Sequence, residues 1–384
     1  MKMNKFVMTA ALSLGLADLA NAGTMYITGS TALRGTVFTT MNTAGAVFTA
    51  VPTKTTYHGV GTSASGSEWM AFTGTLVGGS GSTTIKCHWS GSEGGIKDIA
   101  TGITELFIDD TLLDGADHLG DPATTVSHTV DLAFSDTSQA FSRNKTPVLT
   151  TGNNIAIITF KWVRNPGLWT GSNVSDAMIR QALNGFCKQA LFDGNPASTR
   201  FVYVSGRNNL SGTRVNAFGE SGYGIFTIPN QIEINSSGVM QDLDGAGTFA
   251  GDFGYDSGAD LAATMGANTT ASTDFWNGGT GFSVIAYLSV GDAATAIGLG
   301  AVELSFNGVA FSAAAVIEGQ YAFWGNAFLY QKNGLVGGTE PVIAYNNLIN
   351  TSTGVPNNVN GVNAIKVSNM HATRGGPTSD PVHN

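Results

Sequence analysis

Charge is scarce in this chain of 384 residues: Asp, Glu, Lys and Arg together make up 12%, with 18 Lys and Arg against 27 Asp and Glu. The formal net charge is −9 and the basic residues form no cluster, which excludes a nucleic-acid partner, because phosphate backbones demand basic patches. Long apolar runs are missing too. The stretch from Phe6 to Leu16 is too short to span a bilayer, and nothing later approaches the roughly 18 uncharged apolar residues that a membrane helix needs, so no membrane insertion is expected. Cysteine is almost absent, and Cys87 and Cys187 allow either one intramolecular bridge in an oxidising compartment or two inert buried thiols. No Gly-x-Ser-x-Gly elbow occurs, and His58, His88, His118, His128, His371 and His383 stand in no recognisable relation to a serine nucleophile, so no enzyme is expected. Metal-ligand spacing is lacking as well. The run Asp242-Leu243-Asp244-Gly245 opens like a calcium loop, but the twelfth position is Phe253 where that geometry requires a bidentate Glu, so neither metal nor cofactor is expected.

Lys2 and Lys5 precede the short apolar run, and Ala20-Asn21-Ala22 follows it as a cleavage signal, so residues 1–22 read as a signal peptide and the mature protein begins at Gly23. A periplasmic or secreted location follows. The roughly 360 remaining residues exceed the size at which one core usually splits, so two domains are expected. They carry a net charge of about −10, so an anionic ligand would be held by local dipoles and a single cation rather than by the overall field.

Short apolar runs lead repeatedly into Gly/Ser turns and then into helical spacing. Tyr26-Ile27 precedes Gly29-Ser30-Thr31, Ile85 to Trp89 precede Ser90 to Gly95, and Phe201 to Val204 precede Gly206 to Thr213. Such strand–loop–helix units build α/β sheets. Residues 42–84 read as an inserted hairpin on the first lobe, Ile155 to Trp162 as a buried strand, and Asn173 as the cap of a helix carrying Met178, Ile179, Leu183 and Phe186. The chain is expected to cross to a second lobe near Ile155 and to return along Tyr321 to Tyr330. The first lobe then comprises residues 23–154 plus 323–384, and the second 155–322.

An oxyanion in water is strongly hydrated, so a protein must replace that shell with many short hydrogen bonds from fixed positions. Helix N-termini supply unpaired amides and partial positive charge, while Ser and Thr at the turn add hydroxyl donors. The loops Gly29-Ser30-Thr31-Ala32, Gly91-Ser92-Glu93-Gly94-Gly95 and Ser211-Gly212-Thr213 all have this chemistry. Arg207 precedes the third by four residues, close enough to offer its fork of donors to the same anion.

On these residues the chain resembles the phosphate-binding proteins of ABC transporters, which have the two-lobed type II periplasmic-binding α/β fold with the ligand cleft between the lobes. Arg207, Ser211, Gly212 and Thr213 match that family's Arg-x-x-x-Ser-Gly-Thr; Gly91, Ser92, Gly94, Gly95, Ile96 and Lys97 match its Gly-Ser-x-Gly-Gly-(Val/Ile)-Lys; Thr28 to Ala32 fit its first loop more loosely. A family carboxylate follows the serine by 18 residues, which falls on Asp110. Asn209 stands where the family commonly has an acid that holds the arginine. The resemblance implies a ligand-binding set of Ser30, Thr31, Ala32, Ser92, Asp110, Arg207, Ser211, Gly212 and Thr213. It also implies inorganic phosphate or a similar oxyanion as ligand, an ABC transporter permease as partner, and a monomer. Asp110 would act as an acceptor that tolerates a protonated ligand and repels an unprotonated one. The competing reading is an extracellular structural or adhesive β-protein, suggested by the Gly, Thr and Asn content. Helical segments such as residues 173–190 weigh against it.

Overall fold

In the computed structural model, residues 23–59, 63–167 and 169–383 are described; the expected signal peptide lies outside them. The strands, in chain order, are β1 (Gly23–Gly29), β2 (Thr53–His58), β3 (Trp69–Thr75), β4 (Ser82–His88), β5 (Thr104–Ile108), β6 (Asp117–Leu119), β7 (Thr125–Thr129), β8 (Leu132–Ser135) and β9 (Gly152–Arg164). They continue as β10 (Asn173–Val174), β11 (Cys187–Lys188), β12 (Phe201–Ser205), β13 (Gln231–Ile232), β14 (Ser283–Ser289), β15 (Val302–Phe306), β16 (Trp324–Gln331) and β17 (Ala364–Ile365). Most join one open mixed sheet that runs β11-β12-β14-β9-β16-β8-β1-β4-β3-β2-β6. Two-lobed α/β architecture arises because β9 serves both halves. Its first part, Gly152 to Thr159, pairs antiparallel with β16, whereas Phe160 to Arg164 pair antiparallel with β14.

Burial follows from the residue pattern. β14 (SVIAYLS) is buried along its whole length, as expected of a strand covered on both faces, and β9 is buried from Ile155 to Phe160. One large apolar cluster runs through both halves and includes Ile27, Ile85, Trp162 and Tyr287. A second, in the later half, gathers Val163, Tyr203, Leu261 and Val284. The insertion at residues 42–84 contains the β2–β3 hairpin, which lengthens the first half of the sheet.

Helices follow the parallel strands: α1 (Arg34–Met41) after β1, α2 (Ser92–Thr101) after β4, α3 (Asp176–Leu183), α4 (Ala190–Asp193), α5 (Gly212–Glu220) after β12, α6 (Gly258–Thr264) and α7 (Val290–Gly298) after β14. Among the described residues no helix is long and apolar enough to cross a membrane. Asn173 does not cap α3; it lies in β10, and Ser175 is the cap, its Oγ accepting from the Met178 amide at 3.3 Å. The helix stops at Leu183, and the chain then turns through Gly185 and Phe186 at φ of 80° and 56°.

Residues 372–383 return to the second half. Arg374, its side chain 1% exposed, donates to Glu220 Oε2 at the end of α5 (2.7 Å) and to the Trp324 and Ala322 carbonyls (both 2.9 Å). Cys87 and Cys187 are buried, unbridged thiols.

Candidate functional site

β1 is parallel to β4 and β8, and β12 is parallel to β14, so five strands deliver their carboxyl ends to the cleft between the halves. Open α/β sheets bind ligands at such ends. The loops leaving β1, β4 and β12 are the three Ser/Thr/Gly loops, each of which opens a helix.

Their close packing explains their glycines. Gly91 has φ +94°, a left-handed conformation that side chains rarely adopt, and a Cβ there would lie 2.5 Å from the Leu210 carbonyl of the third loop. A Cβ on Gly212 would lie 1.8 Å from Asp136 Oδ1 and 2.6 Å from Ser92 Oγ. Ser211 caps α5, its Oγ accepting from the Arg214 amide at 3.3 Å, which leaves the hydroxyl proton free to donate. Ser30 is 1% exposed and its Oγ has no partner among the described residues.

Arg207 is 2% exposed. Its Nε donates to the Tyr255 carbonyl (3.0 Å), its Nη2 to the Asp256 carbonyl (2.6 Å) and its Nη1 across the cleft to Thr31 Oγ1 (3.1 Å). Carbonyls of a neighbouring loop thus orient it, where the acid two residues on would do so in the resembling family; Asn208 Nδ2 ties that loop to Asp256 Oδ1 at 2.6 Å. No carboxylate of the described residues forms an ion pair with Arg207. Burial draws its guanidinium below the ordinary arginine value, against Asp292, Tyr287, Asp136 and Asp260, whose charges support it. By contrast, the buried Arg214 is paired with Asp252.

The carboxylate in this cluster is Asp136, 1% exposed, just past the end of β8. Its Oδ1 accepts from Ser92 Oγ, its Oδ2 from Thr213 Oγ1 (3.3 Å), and its carbonyl from Asn216 Nδ2 (2.8 Å). Burial pushes its carboxyl above the usual range, while the Ser92 hydrogen bond and the Arg207 charge pull it down. An acid so placed can accept a proton-bearing ligand oxygen, or, when neutral, donate to a bare one.

Of the residues expected from sequence, the structure thus brings Ser92, Gly212 and Thr213 together around Asp136, and Thr31 to Arg207. Ser30, Ala32 and Ser211 lie on the same three loops, Ala32 with only backbone groups to offer. Asp110 is not among them, which corrects the expectation. It opens a short 3-10 turn after β5, its side chain is 79% exposed, and it pairs with Lys86 at 2.8 Å. The hairpin of β5 and β7 intervenes between α2 and β8, so the acid at the neighbouring strand end comes 44 residues after Ser92 rather than 18. The signal was present in Leu132-Ala133-Phe134, an apolar run ending in Ser135-Asp136. Sequence reasoning also passed over Arg34, the first residue of α1, which is 4% exposed and faces the cleft. Among the described residues no group of His, Cys, Asp and Glu is arranged to hold a metal ion.

No family model matches the chain, and no curated protein matches it in sequence. Solved structures do. One described as a phosphate ABC transporter substrate-binding protein with bound phosphate, from Clostridium perfringens, superposes with a TM-score of 0.52 at 12% identity, covering 90% of this chain and 100% of that one. A high-affinity periplasmic phosphate-binding protein bound with phosphate gives 0.48 at 12% identity, over 89% and 90% of the two chains. A human phosphate binding apolipoprotein gives 0.47 at 11%, over 89% and 91%. The Clostridium perfringens match and the β9-centred sheet together establish that this chain has the two-lobed α/β fold of a substrate-binding protein.

Proposed function

We propose that the protein is a solute-binding protein that holds phosphate, or a similar tetrahedral oxyanion, between its lobes and performs no chemistry on it. The observation that carries this reading is Arg207, a guanidinium buried without an ion-pair partner among the described residues and facing Thr31 of the opposite lobe. A buried unpaired charge is expensive, and a bound anion is what makes the arrangement favourable. The loop hydroxyls of Ser30, Thr31, Ser92, Ser211 and Thr213, with amides at the starts of α2 and α5, replace the ligand's hydration shell. Asp136 selects an anion that still carries a proton. Residues from Gly23 to about Asn154 and from about Phe323 onward form one lobe in this reading, with the segment around Arg374 reaching across to the other. The protein acts outside the cytoplasm as a monomer and hands its ligand to an ABC transporter permease.

Titration calorimetry of refolded, phosphate-stripped protein with orthophosphate tests the core of the proposal. The parent should bind, and Arg207→Ala should bind about 30-fold or more weaker, since truncating one side of a buried charged pair removes about 2–5 kcal/mol. Equal binding by both proteins refutes it.

A further inference from the structure

The cleft does not end at Thr31. From Thr31 and Ala32 it opens into a cavity of about 360 Å³ walled by Arg34, Thr36 and Thr39 on one side and Asp292 and Asn363 on the other. A water needs only about 10–15 Å³ of such space, so one tetrahedral oxyanion at Arg207 leaves most of it unfilled.

Arg34 dominates the chemistry of that cavity. It is 4% exposed, its guanidinium makes no hydrogen bond or ion pair with any described residue, and its Nη1 is wholly enclosed without a partner. Burial works against its charge most strongly; Asp292, Asp260 and Glu68 support it and Arg207 opposes it. None of those acids comes within ion-pairing distance of it. Asp292 has its own partner, with Oδ2 accepting from Ser289 Oγ at 2.7 Å. Two buried guanidiniums therefore share one cleft, and a single oxyanion on the Ser92–Thr213 side leaves the second uncompensated. Arginine stays protonated, so the deficit is met by an anion and not by loss of a proton.

We propose that the ligand carries a second anionic group and that Arg34 receives it, which makes the substrate class a diphosphate or a phosphorylated acid rather than orthophosphate alone. This rests on the oxyanion-binding reading above. Thr36, Thr39 and Asn363 supply further polar groups to the portion of the ligand that lies in the cavity.

The test is calorimetric titration of stripped parent and Arg34→Gln protein with orthophosphate and with pyrophosphate, the orthophosphate arm reporting that the cleft is intact. The parent should bind pyrophosphate about tenfold or more tighter than orthophosphate. Arg34→Gln should lose about tenfold to a hundredfold in pyrophosphate affinity, the worth of one charge-assisted hydrogen bond, and keep orthophosphate affinity within about twofold. Arg34→Lys should recover part of the loss. If the parent binds orthophosphate but gains nothing from the second phosphate, the inference falls and the proposed function stands. An equal loss for both anions overturns it as well, by placing Arg34 in the primary cradle, and so does no loss for either. If the parent binds neither anion, the proposed function falls and the inference with it.

Discussion

Replacing Asp136 by asparagine perturbs one atom of the site and reverses its hydrogen-bonding sense. In the parent, both carboxylate oxygens are enclosed, with Ser92 and Thr213 as partners and Arg207 as the cation acting on it. Hydrogenphosphate can donate a proton to it, whereas sulfate has none, so sulfate leaves a buried acceptor facing a bare oxyanion. That mismatch is worth about 1–3 kcal/mol, or more with charge on both sides, which corresponds to discrimination of at least about tenfold to a hundredfold. The amide introduced by Asp136→Asn would donate to sulfate and lose a charge-assisted bond from phosphate, so the phosphate preference should collapse by that factor or more. Calorimetric titration of stripped parent and variant with both anions near pH 8 measures it. A second readout comes from pH. Because burial raises the Asp136 carboxyl in the folded protein, lowering the pH neutralises it there first, and parent sulfate affinity should rise while that of the variant stays flat. For the same reason the pH-dependent part of folding stability should shift in favour of the unliganded variant as pH rises from the unfolded carboxyl value of about 3.9 to the raised folded value, and level off above it. An unchanged phosphate-to-sulfate preference in a variant that still binds phosphate would refute the assignment of Asp136.

Two further expectations concern ionisable groups outside the cluster of Arg207 and Asp136. Burial, with Glu105 adding to it, pushes Asp98 up to about 7. Its unfolded value is about 3.9, so folding stability falls as pH rises between the two, and Asp98→Asn should gain over the parent across that window, to an upper bound of about 4 kcal/mol; denaturant unfolding at pH 4 and pH 8 that gives equal differences would sink the argument. His88 is raised to about 9: burial opposes its charge, but hydrogen bonds to Glu105 and Glu68 prevail. The stability it contributes is complete below about 6.5 and is lost as pH rises through about 9, so the advantage of the parent over His88→Gln should shrink by about 3 kcal/mol between pH 6 and pH 10, and a constant difference would contradict it.

Much of the candidate site was legible because its physics is local. A serine or threonine between a strand and a helix N-terminus announces itself in a few residues, as at Ser92 and Ser211, and Arg207 lies only four residues before its loop. The strand Ile155 to Trp162 was legible for the same reason, a single apolar run that needs no partner to be recognised. Asp136 was not, because its place depends on how many strands separate it from α2, and β5 and β7 form a separate two-stranded sheet that consumes the intervening chain. A fixed spacing then pointed to Asp110, another strand-end acid, which the fold leaves in solvent. Arg34 gave no signal, since an arginine at the start of a helix is ordinary until packing encloses it. Asn173 and Ser175 are both good caps, and the choice between them was decided by the pairing of β10 with β15, a long-range contact.

The tie between Arg374 and Glu220 also sets an order of assembly. The two are separated by 154 residues, so synthesis from the N-terminus produces α5 long before its partner exists. Until then the last turn of α5 carries a carboxylate at the negative end of the helix dipole, where it is unfavourable and needs water. The opposite end of that helix presents Gly212 and Thr213, so a nascent chain has the proposed anion-binding residues in sequence but lacks the clamp on the rod that carries them. Under the proposed function, a chain stopped short of Arg374 contains every residue of the cradle and still lacks the strut behind the helix that carries Gly212 and Thr213.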